Sequence, residues 1–342
     1  MRIDVHSHLL PEPYVDRLLE LDTPVGLDAE GGQLYMVHER SGTASVAAGN
    51  RIPVNEGFTD VEARFEWMDD HDVARTLVSV STPNPLHDAF TPEQSTDLIR
   101  AINDGFADLQ SAHPDRIAGL GMLPLREPDE AVAEVDRIAG DLDLCGIALP
   151  TSVNGRKLSA PELRPVFDRV DDLGLTAFVH PHGNALSDEL GADESFLNPL
   201  VVFPTETTFQ IARLIYDGFF DDHDFDVVLS HMGGALLQLA GRLERGRDEI
   251  DDPAARPDRP VREYLAEFYY DCISFHRPAL AAAVDTVGVD QFVFGTDFPF
   301  DEEDTRTIVT DVEAVVESEA DRERLMHSTA AELFDLSEAR ET

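Results

Sequence analysis

Two histidines one residue apart, His6 and His8 in Asp4-Val5-His6-Ser7-His8, are the first residues able to do chemistry together. On a strand, residues i and i+2 point to the same face, so both imidazoles can address one ion. A His-x-His pair by itself is equally compatible with solvated or core histidines. Three further residues stand at the ends of apolar runs. His180 closes Phe178-Val179-His180 and is followed by Pro181-His182-Gly183. His231 closes Val227-Val228-Leu229-Ser230-His231 and is followed by Met232-Gly233-Gly234. The paired glycines let a helix begin close by without side-chain obstruction. Asp297 lies in Val293-Phe294-Gly295-Thr296-Asp297-Phe298-Pro299. A lone Asp before Phe-Pro is usually a cap or turn residue, and a lone strand-end His is often satisfied locally. The coincidence of such ends argues for one shared site.

His6, His8, His180 and Asp297 form a ligand set for a divalent transition metal, with an exchangeable water in the remaining position. Nitrogen-rich ligation with one carboxylate suits Zn²⁺ best, with Mn²⁺, Fe²⁺ and Co²⁺ also accommodated. Such an ion acidifies bound water and polarises a substrate oxygen. His231 is then left as general acid/base, since its ordinary pKa lets it carry a proton either way. Asp297 is a second proton-handling group. For His182 the expected role is a hydrogen bond to the backbone. Two-metal barrels use a carboxylated lysine at the end of strand four. Here that strand ends Gly146-Ile147-Ala148-Leu149-Pro150, and the sole lysine, Lys157, lies beyond it. One metal per subunit is expected.

These residues need strands that bring them to one rim. Eight apolar runs read as strands, near Ile3–His8, Thr76–Ser81, Ile117–Leu123, Leu144–Pro150, Thr176–His180, Asp226–His231, Phe268–Ile273 and Gln291–Thr296. They lack strict alternation, as strands buried on both faces do. Amphipathic patterns between them predict helices over Pro92–Ala112, Glu127–Ala139, Ala160–Leu173, Glu206–Phe219, Gly234–Ile250 and Arg277–Val287. Two more follow at the C-terminal end, Glu302–Glu317 and Ala320–Phe334. Eight strand–helix units predict an α/β fold, a single (β/α)₈ TIM barrel over residues 1–342. An open doubly wound sheet would usually show a Gly-rich loop after its first strand; here that strand runs into His6-Ser7-His8. Leu9–Thr59 is a long insertion after strand one, and His182–Thr205 a long loop after strand five. Both fall on the catalytic face and are expected to cover the site. Asp251–Arg262 is a third long connection.

The chain has 342 residues, 68 acidic and 26 basic, for a formal charge of −42. Such a surface repels nucleic acid and anionic lipid. The acids are spread along the chain, which argues against a disordered acidic tail. Scattered carboxylates with almost no lysine suit a protein working in concentrated salt, where self-repulsion is screened. No run approaches the ~18 apolar residues of a membrane span. Met1–His6 lacks the pattern of a signal peptide, so a cytoplasmic enzyme is expected. Cys145 and Cys272, each in a run read as a strand, are expected to be buried and reduced.

The pattern resembles the amidohydrolase-related family typified by aminocarboxymuconate-semialdehyde decarboxylase. The segments that carry the resemblance are Ile3–His8, Val179-His180-Pro181, Phe203-Pro204-Thr205-Glu206-Thr207, Ser230–Gly234, Arg242-Leu243-Glu244-Arg245 and Phe294–Phe300. It implies the ligand set above with His231 as the catalytic histidine. It also implies a substrate-binding arginine in the first loop, where Arg51 falls; a guanidinium there can clamp a carboxylate with two hydrogen bonds. Three positions depart from the family. His6 stands where members acting on aromatic acids often carry Glu, Phe196 takes the place of a loop tryptophan, and His276 that of an asparagine. The implied activity is non-oxidative decarboxylation of an unsaturated or aromatic carboxylate. Hydrolysis of an amide or lactone, or hydration of an unsaturated acid, is the alternative. The resemblance suggests a homodimer.

Overall fold

The computed structural model describes residues 1–38, 51–182, 197–251, 256–300 and 304–336. Runs without alternation are stable only when covered on both faces, and that is where the chain puts them. Strand β1 (Arg2–His8) is followed, after an insertion, by β5 (Val73–Ser79), β6 (Ile117–Met122), β7 (Gly146–Pro150), β8 (Ala177–His180), β9 (Val227–Leu229), β10 (Tyr269–Asp271) and β11 (Phe292–Val293). All are parallel neighbours in the order β1-β5-β6-β7-β8-β9-β10-β11. The seam between first and last strands is bonded too. The Val5 amide donates to Phe294 O (3.0 Å), Asp297 N to His6 O (2.8 Å) and His8 N to Phe298 O (2.8 Å). The result is a (β/α)₈ barrel, as the strand–helix alternation predicts.

The surrounding helices include Val61–Asp70, Pro92–Ala112, Pro128–Gly140, Arg164–Leu173, Phe203–Tyr216, Leu236–Glu249, Arg277–Val287 and Asp304–Val315. Local sequence fixes their starts. Thr91 caps Pro92–Ala112 in a reciprocal capping box with Gln94, which satisfies amides the first turn leaves free. The Asp60 carboxylate accepts from the Glu62 and Ala63 amides at the head of Val61–Asp70. The last expected helix, Ala320–Phe334, is interrupted by a π-turn at Arg324–Ser328 between Glu319–Glu323 and Thr329–Leu333. Among the described residues no helix is long and apolar enough to cross a membrane.

The insertion after β1 is more ordered than a loop. It contains a helix, Glu12–Glu20, and an antiparallel sheet of β2 (Val25–Glu30), β3 (Gln33–His38) and β4 (Arg51–Pro53). Positions 39–50 of the insertion, 183–196 of the loop after β8 (with Phe196) and 252–255 of the third connection lie outside the described residues.

Strands β9, β10 and β11 end earlier than their apolar runs suggest. Beyond Leu229, Asp271 and Val293, buried carboxylates share the acceptor role with the neighbouring strands. Asp271 takes the amides of His231, Met232 and Ile273, and Asp4 takes the amide of Thr296. Cys145 and Cys272 accordingly flank β7 and β10 rather than lie within them. Both are free thiols; Cys272 is buried, while Cys145 is only half-buried and its Sγ reaches Gly119 O at 3.2 Å.

Candidate metal centre at the barrel rim

His6 and His8 leave β1 on the face that closes over the barrel mouth, and both are fully buried. Their rings lie edge to face, with centroids 5.1 Å apart. His180 ends β8 and puts its ring 5.0 Å from His6 and 4.7 Å from His8. His231 and Asp297 sit past their strands, in tight turns with left-handed backbone, φ 52° and 62°. A non-glycine residue there carries local strain, a conformation retained at functional sites when the surroundings enforce it. Met232 shares it, φ 54°. Gly234 must be glycine: a Cβ would come within 2.0 Å of Pro204 O. That close approach anchors the turn to the helix Phe203–Tyr216, since Thr208 Oγ1 accepts from the Ala235 amide (2.8 Å).

Asp297 is the hub. Its Oδ1 lies 3.0 Å from His8 Nε2 and 3.2 Å from His6 Nε2, and its Oδ2 lies 3.5 Å from His231 Nε2. One ligand atom each from His6, His180, His231 and Asp297 falls within 4.8 Å of all the others. His8 joins this group through its contact with Asp297. All five expected rim residues therefore converge, and His231 packs as closely into the donor set as the residues read as ligands.

The electrostatics favour a cation at the centre. Burial works against a charge on His6. The Asp297 charge and hydrogen bonds to Asp271 and Asp297 outweigh it and lift His6 to about 10. Burial also opposes charge on Asp297, but His6 and hydrogen bonds from His231, His6 and His8 hold its carboxyl well below the usual range. Burial, aided by the neighbouring imidazoles, lowers His8 to about 4 and takes His180 well below its ordinary value. Neutral His8 and His180 beside a firmly ionised Asp297 suit a divalent metal, and an ion bound there would take the place of the proton that Asp297 and Asp271 otherwise hold on His6. Two ring nitrogens, His180 Nδ1 and His231 Nδ1, are buried without a hydrogen-bond partner, and His6 Nε2 faces the Asp297 carboxylate at 3.2 Å. An unsatisfied buried nitrogen is costly, and a metal bond is one way to satisfy it. The donor set thus fits a divalent metal ion.

Supporting groups escaped the sequence reading. Asp271, at the end of β10, is fully buried and 2.7 Å from His6 Nδ1. A carboxylate inside an apolar run was the available signal, because burying one without partners is prohibitive. Ser79 Oγ meets His8 Nδ1 at 3.1 Å. Arg64 is fully buried; it donates to Ser7 Oγ, His8 O and Gly57 O, and lies over the Phe298 ring at 4.8 Å. Burial drives its pKa down to about 9, while burial lifts nearby Asp4 to about 7.

Other expected residues lie elsewhere. His182 Nδ1 meets Ser81 O at 2.9 Å, the backbone contact expected of it. His276 is exposed and precedes the helix Arg277–Val287, with no capping bond from its side chain. Arg51 belongs to the inserted sheet, where it pairs with Glu30 (2.7 Å) and Asp28 (2.9 Å) and lies over Tyr35. Rings surround the polar cluster: Phe178 faces His6 at 5.0 Å, and half-exposed Phe300 faces His8 at 5.6 Å.

Fold and site together define a (β/α)₈ barrel with a divalent-metal centre on its rim. A family model described as Amidohydrolase matches residues 3–336, and the chain belongs to that family. It is 29% identical over 305 residues to 2-amino-3-carboxymuconate-6-semialdehyde decarboxylase of Dictyostelium discoideum, covering 88% of this chain and 82% of that one. It is 29% identical over 295 residues to the gamma-resorcylate decarboxylase of Rhodococcus jostii, covering 80% and 87%. The apo crystal structure of Metarhizium anisopliae IDCase superposes with a TM-score of 0.86 at 28% identity, covering 99% and 98%.

Proposed function

We propose that this chain is a metal-dependent, non-oxidative decarboxylase of an unsaturated or aromatic carboxylate. The observation that carries the reading is the convergence of His6, His180, His231 and Asp297 within 4.8 Å, in a chain whose relatives named above include decarboxylases. The half-exposed ring of Phe300 beside the cluster suits a flat, conjugated substrate.

In this reading His6, His8, His180 and Asp297 hold one divalent ion, most suitably Zn²⁺. Bound there, it supplies Lewis-acid polarisation of a substrate oxygen and a lowered pKa for water. His231 is the proton carrier, acting at Nε2, the nitrogen facing Asp297 Oδ2. Proton delivery to the carbon bearing the carboxylate breaks conjugation. Cleavage of the carbon–carboxylate bond then returns its electron pair to the π system as CO₂ leaves, and solvent reprotonates His231. Arg51 is the proposed clamp for a substrate carboxylate. Its present partners are exposed acids, and such pairs are weak enough to exchange.

The test is CO₂ release from a panel of conjugated and aromatic carboxylates by zinc-loaded protein in molar salt. Release from at least one substrate, lost in His231→Ala, is the expected result. Amide or lactone hydrolysis with no CO₂ would assign the same rim to hydrolysis. We further propose a homodimer and adaptation to high salt, supported by exposed Leu197, Leu200, Val201 and Phe209 and by the charge of −42. Sedimentation in molar and in dilute salt tests both: a folded monomer in each would refute them.

A further inference from the structure

Asp271 contacts two parts of the rim that the proposed mechanism treats separately. Its Oδ2 lies 2.7 Å from His6 Nδ1 and accepts from the His231 amide at 2.8 Å. Its Oδ1 accepts from the amides of Met232 (2.8 Å) and Ile273 (3.1 Å). The residue is fully buried, so no water substitutes for any of these partners. Gly295 leaves the room this requires: a Cβ there would lie 2.9 Å from the His6 Cβ and 3.1 Å from the Asp271 Cβ.

We infer that Asp271 is a positioning residue that sets the metal-ligand form of His6 and, through the same carboxylate, holds the left-handed turn presenting His231. The inference rests on the metal reading above. An acceptor-only carboxylate at Nδ1 assigns the ring proton to that nitrogen. It leaves Nε2, which points at the Asp297 carboxylate 3.2 Å away, as the metal-facing atom. The amides of His231 and Met232, at φ 52° and 54°, converge on the two oxygens of the same group. Their hydrogen bonds offset the strain of two successive left-handed residues. The coupling is direct: movement of the Asp271 carboxylate displaces a ligand and the proton carrier together.

Asparagine cannot replace it, although it has the same shape. Oδ1 and Oδ2 each face N–H groups, so either orientation of the amide sets an NH₂ against two donors. With NH₂ toward His6, the imidazole must also give up its Nδ1 proton and carry it on Nε2, which blocks metal binding.

The experiment compares wild type and Asp271→Asn in molar salt. Zinc affinity is measured by chelator competition, the metal-free unfolding midpoint by circular dichroism, and turnover at saturating zinc. The expected result is zinc affinity ~10–100-fold weaker in the variant, the range typical of lost outer-shell partners. At saturating zinc, kcat falls while KM stays within about threefold, because Asp271 touches no substrate. A folded variant with wild-type zinc affinity and kcat would overturn the inference. Should the variant not fold, histidine-labelled wild type answers by NMR. Zinc-loaded protein should show His6 protonated at Nδ1, with a slowly exchanging, downfield proton. Metal on Nδ1 would refute the positioning role. Wild type that binds no zinc would instead defeat the metal reading itself.

Discussion

The barrel rim and the inserted sheet β2–β4 both gather charged side chains, and they do so under opposite conditions. On the rim, Asp4, Arg64 and Asp271 are fully buried and each makes several hydrogen bonds. In the insertion, Arg51 meets Asp28 and Glu30 on side chains 33% to 71% exposed. Buried polar networks specify geometry because every lost partner leaves an uncompensated group. Exposed pairs are cheap to break and remake. The rim is therefore the rigid part, and the insertion the part whose ion pairs can exchange.

The largest effect that could break this comparison is at the hub. Asp297→Asn removes the carboxylate shared by three histidines. It should cost turnover roughly 10³-fold or more, the several kcal/mol a metal centre contributes, and zinc binding should weaken with it. Retained turnover would mean that the rim is not the reactive centre. Next, Arg64→Leu strips hydrogen bonds from Ser7 Oγ, His8 O and Gly57 O. Breaking a buried charged network should lower unfolding free energy by about 3–5 kcal/mol, read from denaturant titration. Arg51→Ala is the converse. It should leave the unfolding midpoint unchanged, yet raise KM about 10–100-fold for a carboxylate substrate, the worth of a charged hydrogen-bond pair. A shifted midpoint with unchanged KM would make Arg51 structural.

The smallest effect sharpens the contrast at the opposite end of the barrel. Burial, reinforced by Asp224, raises the pKa of Asp226 from 3.8. Its contribution to stability is present below 3.8 and lost as pH rises through the raised value. Asp226→Asn should therefore raise the unfolding midpoint slightly at neutral pH and not at pH 3. An equal gain at both would rule out titration as the cause.

Much of this was legible in the sequence, and the gaps have physical causes. Apolar runs without alternation gave away the barrel, because burial on both faces leaves no polar face to read. His6, His8 and His180 sit on strands, where spacing alone predicts direction. His231 and Asp297 lie beyond shortened strands, in left-handed turns that strand spacing does not predict. Asp271 was marked only as a carboxylate inside an apolar run; its partners His6, His231 and Met232 come together only in the fold. Arg64 carries no signal of its own in the sequence; only the fold reveals that it is buried against Phe298 and Ser7. The antiparallel order of β2–β4 was not predicted from a Gly-rich polar insertion, because periodicity there is weak.

The seam between β1 and β11 gives one last consequence. His8 and Asp297 are 289 residues apart in sequence and meet only when the ring of strands is complete. An ion gripping both would act as the clasp of a bracelet. It binds the closed circle and has no comparable grip on the open chain, so its binding energy is added to the stability of closure itself. Chelation would then loosen the first strand from the last as well as silence the chemistry.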